Sequence, residues 1–221
     1  MNGNALPSRV VVFRLKAIQA YDRWRLGRLK RRHPGLEIHP TASTNLASAR
    51  YDLAPGARLR IGAGVVTDRL EGALHFAVEA GAEMEIGEGT WLRTDVGPIH
   101  LIAFSGGRMR IGPDGLVNGS HISCKSELTI GRRVWIGMGT RVFDSDQHDM
   151  DADRPEVAEP VSIGDYCWVA SDVTVLRGVT IGEHSVVGTR SLVTSDIPAH
   201  TLAFGTPARA RGKVGDRTSG R

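Results

Sequence analysis

Every sixth position of the segment VSIGDYCWVASDVTVLRGVTIGEHSVVGTRSLVTSD, residues 161–196, holds an aliphatic side chain. These positions are Ile163, Val169, Val175, Ile181, Val187 and Val193. Most of them are followed by a small or short residue, such as Gly164, Ala170, Gly182, Gly188 or Thr194. This period predicts short strands that each place one aliphatic side chain inward and then turn at a small residue, where the backbone packs closely.

Three such strands complete one triangular turn of a prism, and stacked turns pair as parallel strands. The aliphatic side chains then form ladders along the prism axis, so the core needs few large aromatic residues. The composition agrees, because the chain of 221 residues has 27 glycines and only 5% aromatic residues. The sequence therefore predicts an all-β fold over residues 36–213. The repeat is weak before residue 86, where irregular turns are predicted.

Composition indicates a soluble globular or elongated protein, with 41% hydrophobic and 24% charged residues. The start, MNGNALPSRVVVF, lacks the pattern of a signal peptide, and nowhere do eighteen apolar residues follow one another. We therefore predict a cytoplasmic location. Cys124 and Cys167 have no CxxC spacing, so we predict that both are reduced and structural. The net charge of +4 is modest, and no nucleic-acid partner is predicted.

Residues 1–35 form a separate N-terminal unit, predicted to be a basic amphipathic helix. Its apolar stripe consists of Val11, Leu15, Ile18, Tyr21 and Leu29. Ser8 is the predicted N-cap, and Pro34-Gly35 the stop. Two roles are open for this helix: packing against the prism or a neighbouring chain, and contact with an anionic membrane surface, which its basic residues and Trp24 permit. Residues 214–221 are predicted to be a flexible tail.

An acidic run, FDSDQHDMDADRPE, interrupts the repeat. From Val142 to Ile163 the chain spans more than three periods of the repeat where two are needed, so an excursion over about residues 143–160 leaves one corner of the prism. A hydrated loop with solvent-facing aspartates is one interpretation. A calcium loop is not supported, because Asp149 stands where glycine is required and Pro155 where glutamate is required. The third interpretation depends on His148, the one histidine in the run.

The segments IGDYCWVASDVTVLRGVTIG and VVGTRSLVTSDIPAHTLAFGTPARARGK resemble the hexapeptide-repeat acyltransferases, whose fold is a left-handed parallel β-helix. The resemblance covers residues 110–213. Within this family the chain is most similar to bacterial sugar and polysaccharide O-acetyltransferases of the maltose and galactoside acetyltransferase type. The resemblance implies transfer of an acetyl group from acetyl-CoA to a hydroxyl of a sugar or glycan precursor, with no metal.

The resemblance also implies roles for individual residues. His148 matches the general base, which takes the hydroxyl proton while the oxygen attacks the thioester directly. Asn118 matches a residue that positions the acceptor, and Asp146 or Asp151 is a candidate to orient the imidazole. The implied coenzyme A contacts are Trp168, Ala170, Ser171, Gly188, Thr189, Thr194, Ser195, Arg209 and Lys213. The family has a basic residue where Ser195 stands, which weakens a phosphate contact there. His121 faces the same cleft or is a surface or core residue.

In the family, coenzyme A lies between neighbouring prisms, so the resemblance implies a homotrimer. Three alternatives remain open: an N-acyltransferase acting on an amino sugar, a non-catalytic scaffold, and a zinc carbonic anhydrase on the same fold. The last requires three histidine ligands, whereas the excursion has one.

Overall fold

The computed structural model describes residues 9–218. It begins with helix α1 (Arg9–Arg32), and a 3₁₀-helix, η1 (Thr44–Ser48), lies between the first two strands. The strands of the first half are β1 (Leu36–Ile38), β2 (Arg50–Leu53), β3 (Arg58–Ile61), β4 (Val66–Thr67), β5 (Leu74–Val78), β6 (Glu83–Ile86), β7 (Trp91–Arg93), β8 (Ile99–Ala103), β9 (Arg108–Ile111), β10 (Leu116–Asn118) and β11 (His121–Cys124).

The second half continues with shorter strands. They are β12 (Glu127–Ile130), β13 (Trp135–Ile136), β14 (Arg141–Phe143), β15 (Val161–Ile163), β16 (Trp168–Val169), β17 (Thr174–Val175), β18 (Thr180–Ile181), β19 (Val186–Val187), β20 (Leu192–Val193), β21 (Thr201–Gly205) and β22 (Ala208–Lys213).

The strands form three sheets, which are the three faces of a prism. Face 1 has the order β1-β3-β6-β9-β12-β15-β18, and face 3 the order β2-β5-β8-β11-β14-β17-β20. Face 2 has the order β4-β7-β10-β13-β16-β19-β21-β22. The chain visits the faces in the sequence 1, 2, 3, and neighbouring strands pair in parallel until β21, which pairs with β22 in antiparallel. The predicted fold class, a left-handed parallel β-helix with an N-terminal α-helix, is confirmed.

The interior consists of the predicted ladders. Ile163, Val169, Val175, Ile181, Val187 and Val193 are all at most 1% exposed. The residues two positions earlier, from Val161 to Ser191, are buried as well. Burying an aliphatic side chain of this size contributes about 1.5–3 kcal/mol, so the ladders supply the main stabilisation of each turn.

The first turn has the 3₁₀-helix η1 where later turns have a strand of face 2, as the prediction of irregular turns requires, but from β3 onward the turns are regular and that prediction is wrong. Leu59 pairs with Met84 and Met84 with Met109, so two successive turns have the same length. The later turn that pairs Ser162 with Thr180 is shorter. The early strands are also longer, as in β5 and β8. These longer turns hide the period of six, although the stacking is the same.

On the outer side of face 1, arginine and glutamate side chains alternate between neighbouring strands. Ion pairs join neighbouring strands, at 2.9 Å for Arg58–Glu83, 3.1 Å for Arg60–Glu37 and 3.3 Å for Arg110–Glu85. Each exposed pair contributes roughly 0–1 kcal/mol. The alternation of charge therefore serves mainly to keep this face in water.

Helix α1 packs on the prism through its second half. Asp22 is buried and accepts a hydrogen bond from Nε of Arg69 at 2.9 Å, and Arg25 pairs with Glu71 at 2.7 Å. Leu26 and Leu29 pack against the core at the first turns. This half confirms the predicted contact between the helix and the prism.

Most of the predicted apolar stripe is not covered by the prism. Its members Val11, Leu15, Ile18 and Tyr21 are 41–53% exposed, because contact with the prism begins only at residue 22. Phe13, which is 73% exposed, lies on the same half. The predicted N-cap, Ser8, lies outside the described residues. Among residues 9–218, no helix combines the length and apolar character required of a membrane-spanning segment.

Residues 214–218 fold back along the corner between faces 1 and 2. The N–H of Val214 donates to the carbonyl of His200 at 2.8 Å, and the N–H of Arg217 donates to Nδ1 of His184 at 3.0 Å. Arg133 donates to the carbonyl of Thr218 at 3.0 Å. The antiparallel hairpin of β21 and β22 closes this end of the prism.

Candidate functional site

The acidic run leaves the prism at the corner between faces 3 and 1. On face 3, Arg141 pairs with Thr174, and Thr174 pairs in turn with Leu192. The turn from Arg141 to Thr174, which contains the run, is therefore nearly twice as long as the turn that follows it. The chain between β14 and β15 therefore forms an excursion from the prism.

The excursion is a narrow hairpin with His148 near its tip. Antiparallel bridges join Ser145 to Ala158 and Asp151 to Arg154. The carboxylate of Asp149 accepts the N–H of Glu156 at 2.6 Å. His148 is exposed, and within residues 9–218 its ring has no hydrogen-bond or ion-pair partner. The imidazole is thus exposed to solvent on a loop that is closed by its own hydrogen bonds.

The root of the excursion is fixed by Asp144, which is fully buried. Its two oxygens accept the N–H groups of Lys125 and Ser126, each at 2.7 Å. Asp144 is therefore an exception to the prediction that the aspartates face solvent. Burial, and secondarily the charge of Asp144, raise the pKa of the neighbouring Cys124 thiol. Both cysteines are free and buried, which confirms their predicted structural character.

Two cations hold the arms of the hairpin. Nε of Arg177 donates to Asp146 at 2.7 Å, and a second nitrogen of Arg177 binds Glu159. Lys125 donates to the carbonyl of Gln147 at 3.1 Å and pairs with Glu156 at 2.8 Å. Sequence reasoning missed both cations. The excess of carboxylates in the run could have indicated them, because a loop with many carboxylates packs against the prism only where cations lie close to it.

The structure does not bring either candidate orienting carboxylate to His148. The hydrogen bond from Arg177 lowers the pKa of Asp146, and that from Arg154 lowers the pKa of Asp151. No hydrogen bond joins these carboxylates to the imidazole in the described part of the chain. Their observed contacts fix the shape of the excursion.

A second set of residues, several of them predicted, forms a straight row along the corner between faces 2 and 3. We call it the corner row: Asn118, Gly137, Ala170, Gly188, Phe204 and Arg209. Its members lie at or directly beyond the ends of face 2 strands, and the strand registers place them side by side. Strands lie about 4.8 Å apart, so the row is roughly 24 Å long. It is an extended, shallow track.

The corner row is narrow because glycine lets successive turns approach closely. A Cβ on Gly137 would lie 2.5 Å from the carbonyl carbon of Ala170, and one on Gly188 would lie 2.8 Å from Cβ of Phe204. At one end, Nδ2 of Asn118 donates to the carbonyl of Ile136 at 2.9 Å, and its amide oxygen accepts no hydrogen bond from residues 9–218. At the other end, Arg209 is exposed. Ser171 and Thr189 directly follow Ala170 and Gly188.

The remaining predicted contacts lie elsewhere on the chain. Thr194 and Ser195 follow β20 at the corner between faces 3 and 1, where the excursion also leaves. Lys213 pairs with Thr201 at the end of β22 that is remote from Arg209. Trp168 is 42% exposed on face 2. The structure therefore divides most of the predicted site residues between the two edges of face 3.

Sequence reasoning also missed Arg217. Its guanidinium lies over the rings of Trp135 and Trp168, with centroid distances of 5.7 and 5.9 Å. Nε of Arg217 donates to the carbonyl of Tyr166 at 3.0 Å. The sequence carried no signal for this contact, because it depends on the fold of residues 214–218.

Within residues 9–218 there is no group of three or more His, Cys, Asp or Glu side chains arranged to hold a metal ion.

Comparison with known proteins gives three findings. Residues 160–195 match the family model described as bacterial transferase hexapeptide (six repeats). A crystal structure of a hexapeptide-repeat acetyltransferase from Vibrio cholerae O1 biovar eltor, complexed with acetyl-coenzyme A, is 30% identical, with a TM-score of 0.51. The match covers 62% of this chain and 72% of that chain. A galactoside acetyltransferase in complex with coenzyme A is 27% identical, with a TM-score of 0.51, over 63% of this chain and 68% of that one.

Curated relatives match over shorter segments. The galactoside O-acetyltransferase of Escherichia coli strain K12 is 39% identical over 70 residues, which is 32% of this chain and 34% of that protein. The chain spans 30–44% of the length of the curated relatives it matches.

Proposed function

We propose that this chain, which belongs to the hexapeptide-repeat acetyltransferase family, transfers an acetyl group from acetyl-CoA to a hydroxyl of a sugar or glycan precursor. Polysaccharide biosynthesis is the setting that fits such an acceptor. The observation that carries the proposal is the corner row, which joins an amide side chain, a track of small residues and an exposed arginine in one line. Two solved relatives of this fold were crystallised with acetyl-coenzyme A or coenzyme A.

The corner row suits a long, thin donor with phosphates at one end. Small side chains at Ala170, Ser171, Gly188 and Thr189 leave the groove unobstructed for a pantetheine arm. The exposed guanidinium of Arg209 is a suitable partner for phosphate, because its planar fork binds anions with two parallel hydrogen bonds. Asn118, at the opposite end, would bind the acceptor hydroxyl through its free amide oxygen.

His148 would act as the general base. A neutral imidazole nitrogen takes the proton from the acceptor hydroxyl while the oxygen attacks the thioester carbonyl carbon. The C–S bond then breaks, and the imidazolium returns the proton to the departing thiolate. Backbone N–H groups of the corner would stabilise the negative charge on the carbonyl oxygen. The acetyl group passes directly from sulfur to oxygen, so no covalent intermediate on the chain is needed.

A complete site requires two copies of the chain. Asn118 and the corner row lie at one edge of face 3, whereas His148, Thr194 and Ser195 lie at the other edge. Exposed apolar groups are present on both sides: Phe204 within the corner row, Met138 beside it, and Met150 on the excursion. We therefore propose a homotrimer in which the excursion of one chain covers the corner row of the next.

The exposed half of α1 gives a second point of contact. Phe13 and Leu15 are 73% and 52% exposed, and Arg14 and Lys16 are exposed beside them. Trp24, at the start of the packed half, is 52% exposed as well. We propose that the protein acts in the cytoplasm and that this half-helix rests on an anionic membrane surface, where apolar and basic side chains together favour binding. That position would bring the enzyme close to lipid-linked glycan acceptors.

Release of free thiol from acetyl-CoA over a panel of sugar hydroxyl and amino-sugar acceptors tests the reaction. We expect the substitution His148→Ala to reduce the rate by roughly 10²–10⁴-fold, the usual contribution of a general base. His39→Ala is the matched control, because His39 is exposed at the opposite end of the prism. An unchanged rate in His148→Ala would refute the assignment of the base.

The same panel separates the acceptor classes. Turnover with hydroxyl acceptors alone supports the O-acetyltransferase, whereas faster turnover with amino sugars would establish an N-acyltransferase. If no acceptor releases thiol from the wild-type protein, the scaffold alternative replaces the proposal.

A further inference from the structure

Face 3 carries a ladder of three histidines on its outer side. His75, His100 and His121 lie in register on the adjacent strands β5, β8 and β11. Their ring centroids are 5.8 Å apart at each step, and the ring of His121 lies 5.6 Å from that of Phe143 at the root of the excursion. The proposed reaction uses none of these rings.

The ladder has a cation at each end. Arg50 precedes His75 in register, and Arg141 follows His121. The only carboxylate in this group is Asp52 within the described residues, and it pairs with both Arg50 at 2.6 Å and His75 at 2.8 Å. Arg141 has no ion-pair partner in residues 9–218. The uncompensated positive charge therefore lies at the end nearest the excursion.

The outer side of face 3 also carries groups that are poorly suited to water. Ile102 and Phe143 are half-buried there, and Ser123 between them in register is fully buried. The hydroxyl of Ser123 has no hydrogen-bond partner in the structure. Because this hydroxyl is fully shielded within the single chain, the groups that another chain could cover here are the half-buried Ile102 and Phe143.

The site residues lie at the two edges of face 3, and this determines how face 3 is oriented in an assembly. The corner row lies at one edge of face 3, and the excursion lies at the other edge. If each excursion covers the corner row of the next copy, both edges of face 3 contact neighbours, and a closed cyclic assembly turns this face toward the rotation axis. The histidine ladders of all three chains then face one another. This step rests on the shared site of the proposed function.

We propose that face 3 forms the axial interface of the homotrimer and that its histidine ladder makes assembly depend on pH. The occupant of the face is a second copy of this chain, since the half-buried Ile102 and Phe143 lie on it and it is continuous with the excursion, which the proposed site places against the neighbouring chain. Neutral imidazoles pack against one another and exchange hydrogen bonds. Protonated imidazoles around the axis repel each other and the arginines at the ends of the ladder.

The direction of the effect follows from the surroundings of the rings. Burial, followed by the nearby charges of His75 and Arg50, lowers the pKa of His100; burial and the charges of His100 and Arg141 lower that of His121. A lowered pKa means that the folded chain binds fewer protons than the unfolded chain. Burial of the same rings between chains would lower their pKa further, so assembly is linked to pH in the same direction as folding. The stabilisation is present above the ordinary imidazole pKa of about 6.5 and is lost as pH falls through that value and then through the lowered pKa.

Analytical ultracentrifugation of the full chain between about pH 8 and pH 5, a range that spans the ordinary imidazole pKa, tests the proposal. We expect the trimer dissociation constant to rise at least roughly tenfold as the rings protonate. The double variant His100→Phe/His121→Phe keeps ring packing but has no protons to gain, so its dissociation constant should vary much less with pH. Equal pH dependence in the variant and the wild type, or none in the wild type, would overturn the inference.

The control is a second ring stack on the same prism. His184 and His200 stack at 4.7 Å at the corner between faces 1 and 2, which points away from the axis. His200→Phe should leave the pH dependence unchanged.

Thiol labelling locates the face independently of pH. In the trimer, Ile102→Cys should be protected from a thiol reagent, whereas Thr129→Cys, half-buried on face 1, should react. The native Cys124 and Cys167 are buried and give little background. A trimer in which Ile102→Cys reacts freely would refute the axial position. Neither experiment measures acetyl transfer, so a failure of the proposed activity and a failure of this inference are distinguishable.

Discussion

Arg177 lies on the turn of the prism after the excursion, and its Nε donates to the carboxylate of Asp146 at 2.7 Å. The same guanidinium binds Glu159 on the returning arm of the hairpin. One side chain on the following turn therefore fixes both arms of the loop that presents His148.

The substitution Arg177→Met should reduce turnover without unfolding the prism. It keeps most of the side-chain volume but releases both carboxylates, so the imidazole loses its fixed position. Loss of alignment commonly costs up to about 10²-fold in rate. The measurement is kcat for thiol release, together with thermal unfolding. Arg154→Met is the control, because its pair with Asp151 is local to the exposed tip. Equal losses in the two variants would contradict the role of Arg177.

The pH response of this contact has a defined direction. The Arg177 hydrogen bond lowers the pKa of Asp146, so the pair is complete above the ordinary value of 3.8 and is lost only as pH falls through the lowered value. A change of activity between about pH 5 and pH 8 therefore cannot come from Asp146 and should persist in Arg177→Met.

The substitution Gly137→Ala should destabilise the protein and close the corner row. The new Cβ would lie 2.5 Å from the carbonyl carbon of Ala170, a contact that backbone must move to relieve. Overpacking of this kind typically costs about 1–3 kcal/mol of unfolding free energy. Urea-induced unfolding of the variant and the wild type measures this loss of unfolding free energy. A Cβ on Gly27 in α1 would meet only Nη1 of Arg31, at an ordinary contact distance of 3.9 Å, so Gly27→Ala should instead stabilise by about 0.5–1 kcal/mol. If the two changes have the same sign, the steric explanation is wrong.

The substitution Arg209→Ala should raise KM for acetyl-CoA roughly tenfold and leave kcat nearly unchanged, since a hydrogen bond to a charged group contributes about 1.5–3 kcal/mol. Lys213→Ala is the matched comparison, because Lys213 lies at the far end of the same strand and outside the corner row. Steady-state kinetics at varied acetyl-CoA concentration give KM and kcat for both variants. A larger rise of KM in Lys213→Ala would place the phosphates at that end of β22.

The substitution Phe13→Asp should abolish membrane contact of the half-helix. Phe13 is 73% exposed and makes the helix surface apolar beside Arg14 and Lys16. We expect the wild-type protein to sediment with vesicles that contain anionic lipid and not with neutral vesicles. Val157→Asp makes the same kind of change at an exposed residue of the excursion and is the control: this variant should still sediment with anionic vesicles. Wild-type protein that remains in the supernatant with both vesicle types would exclude this contact.

The strict repeat predicted the late turns because each strand of these turns contributes one aliphatic side chain to a buried ladder. The early turns carry the same ladders, but the turn that leads from Leu59 to Met84 is longer than the one from Ser162 to Thr180, so no period of six is visible there. The length of a turn depends on the corners, and corner loops tolerate extra residues without changing the buried ladder.

The candidate site was predictable where its residues share a register. Ala170, Gly188 and Arg209 follow from the repeat and from the resemblance, and they lie together in the corner row. The partners of Asp146, Lys213 and Arg217 were not predictable in the same way, because they depend on how the excursion and residues 208–218 fold. The half-exposed stripe of α1 shows a similar limit: periodicity identifies an apolar side but does not show what covers it.

A stack of parallel strands has no intrinsic length, because each turn offers the next one the same unpaired backbone groups. In this chain, α1 packs against η1 and β1 at one end, and the antiparallel strand β22 follows β21 at the other. On face 2, β22 therefore occupies the edge at which a further parallel turn would pair, and α1 covers part of the first turn. The helix and the hairpin thus oppose end-to-end growth into fibres, and copies of the chain are left to associate through their sides.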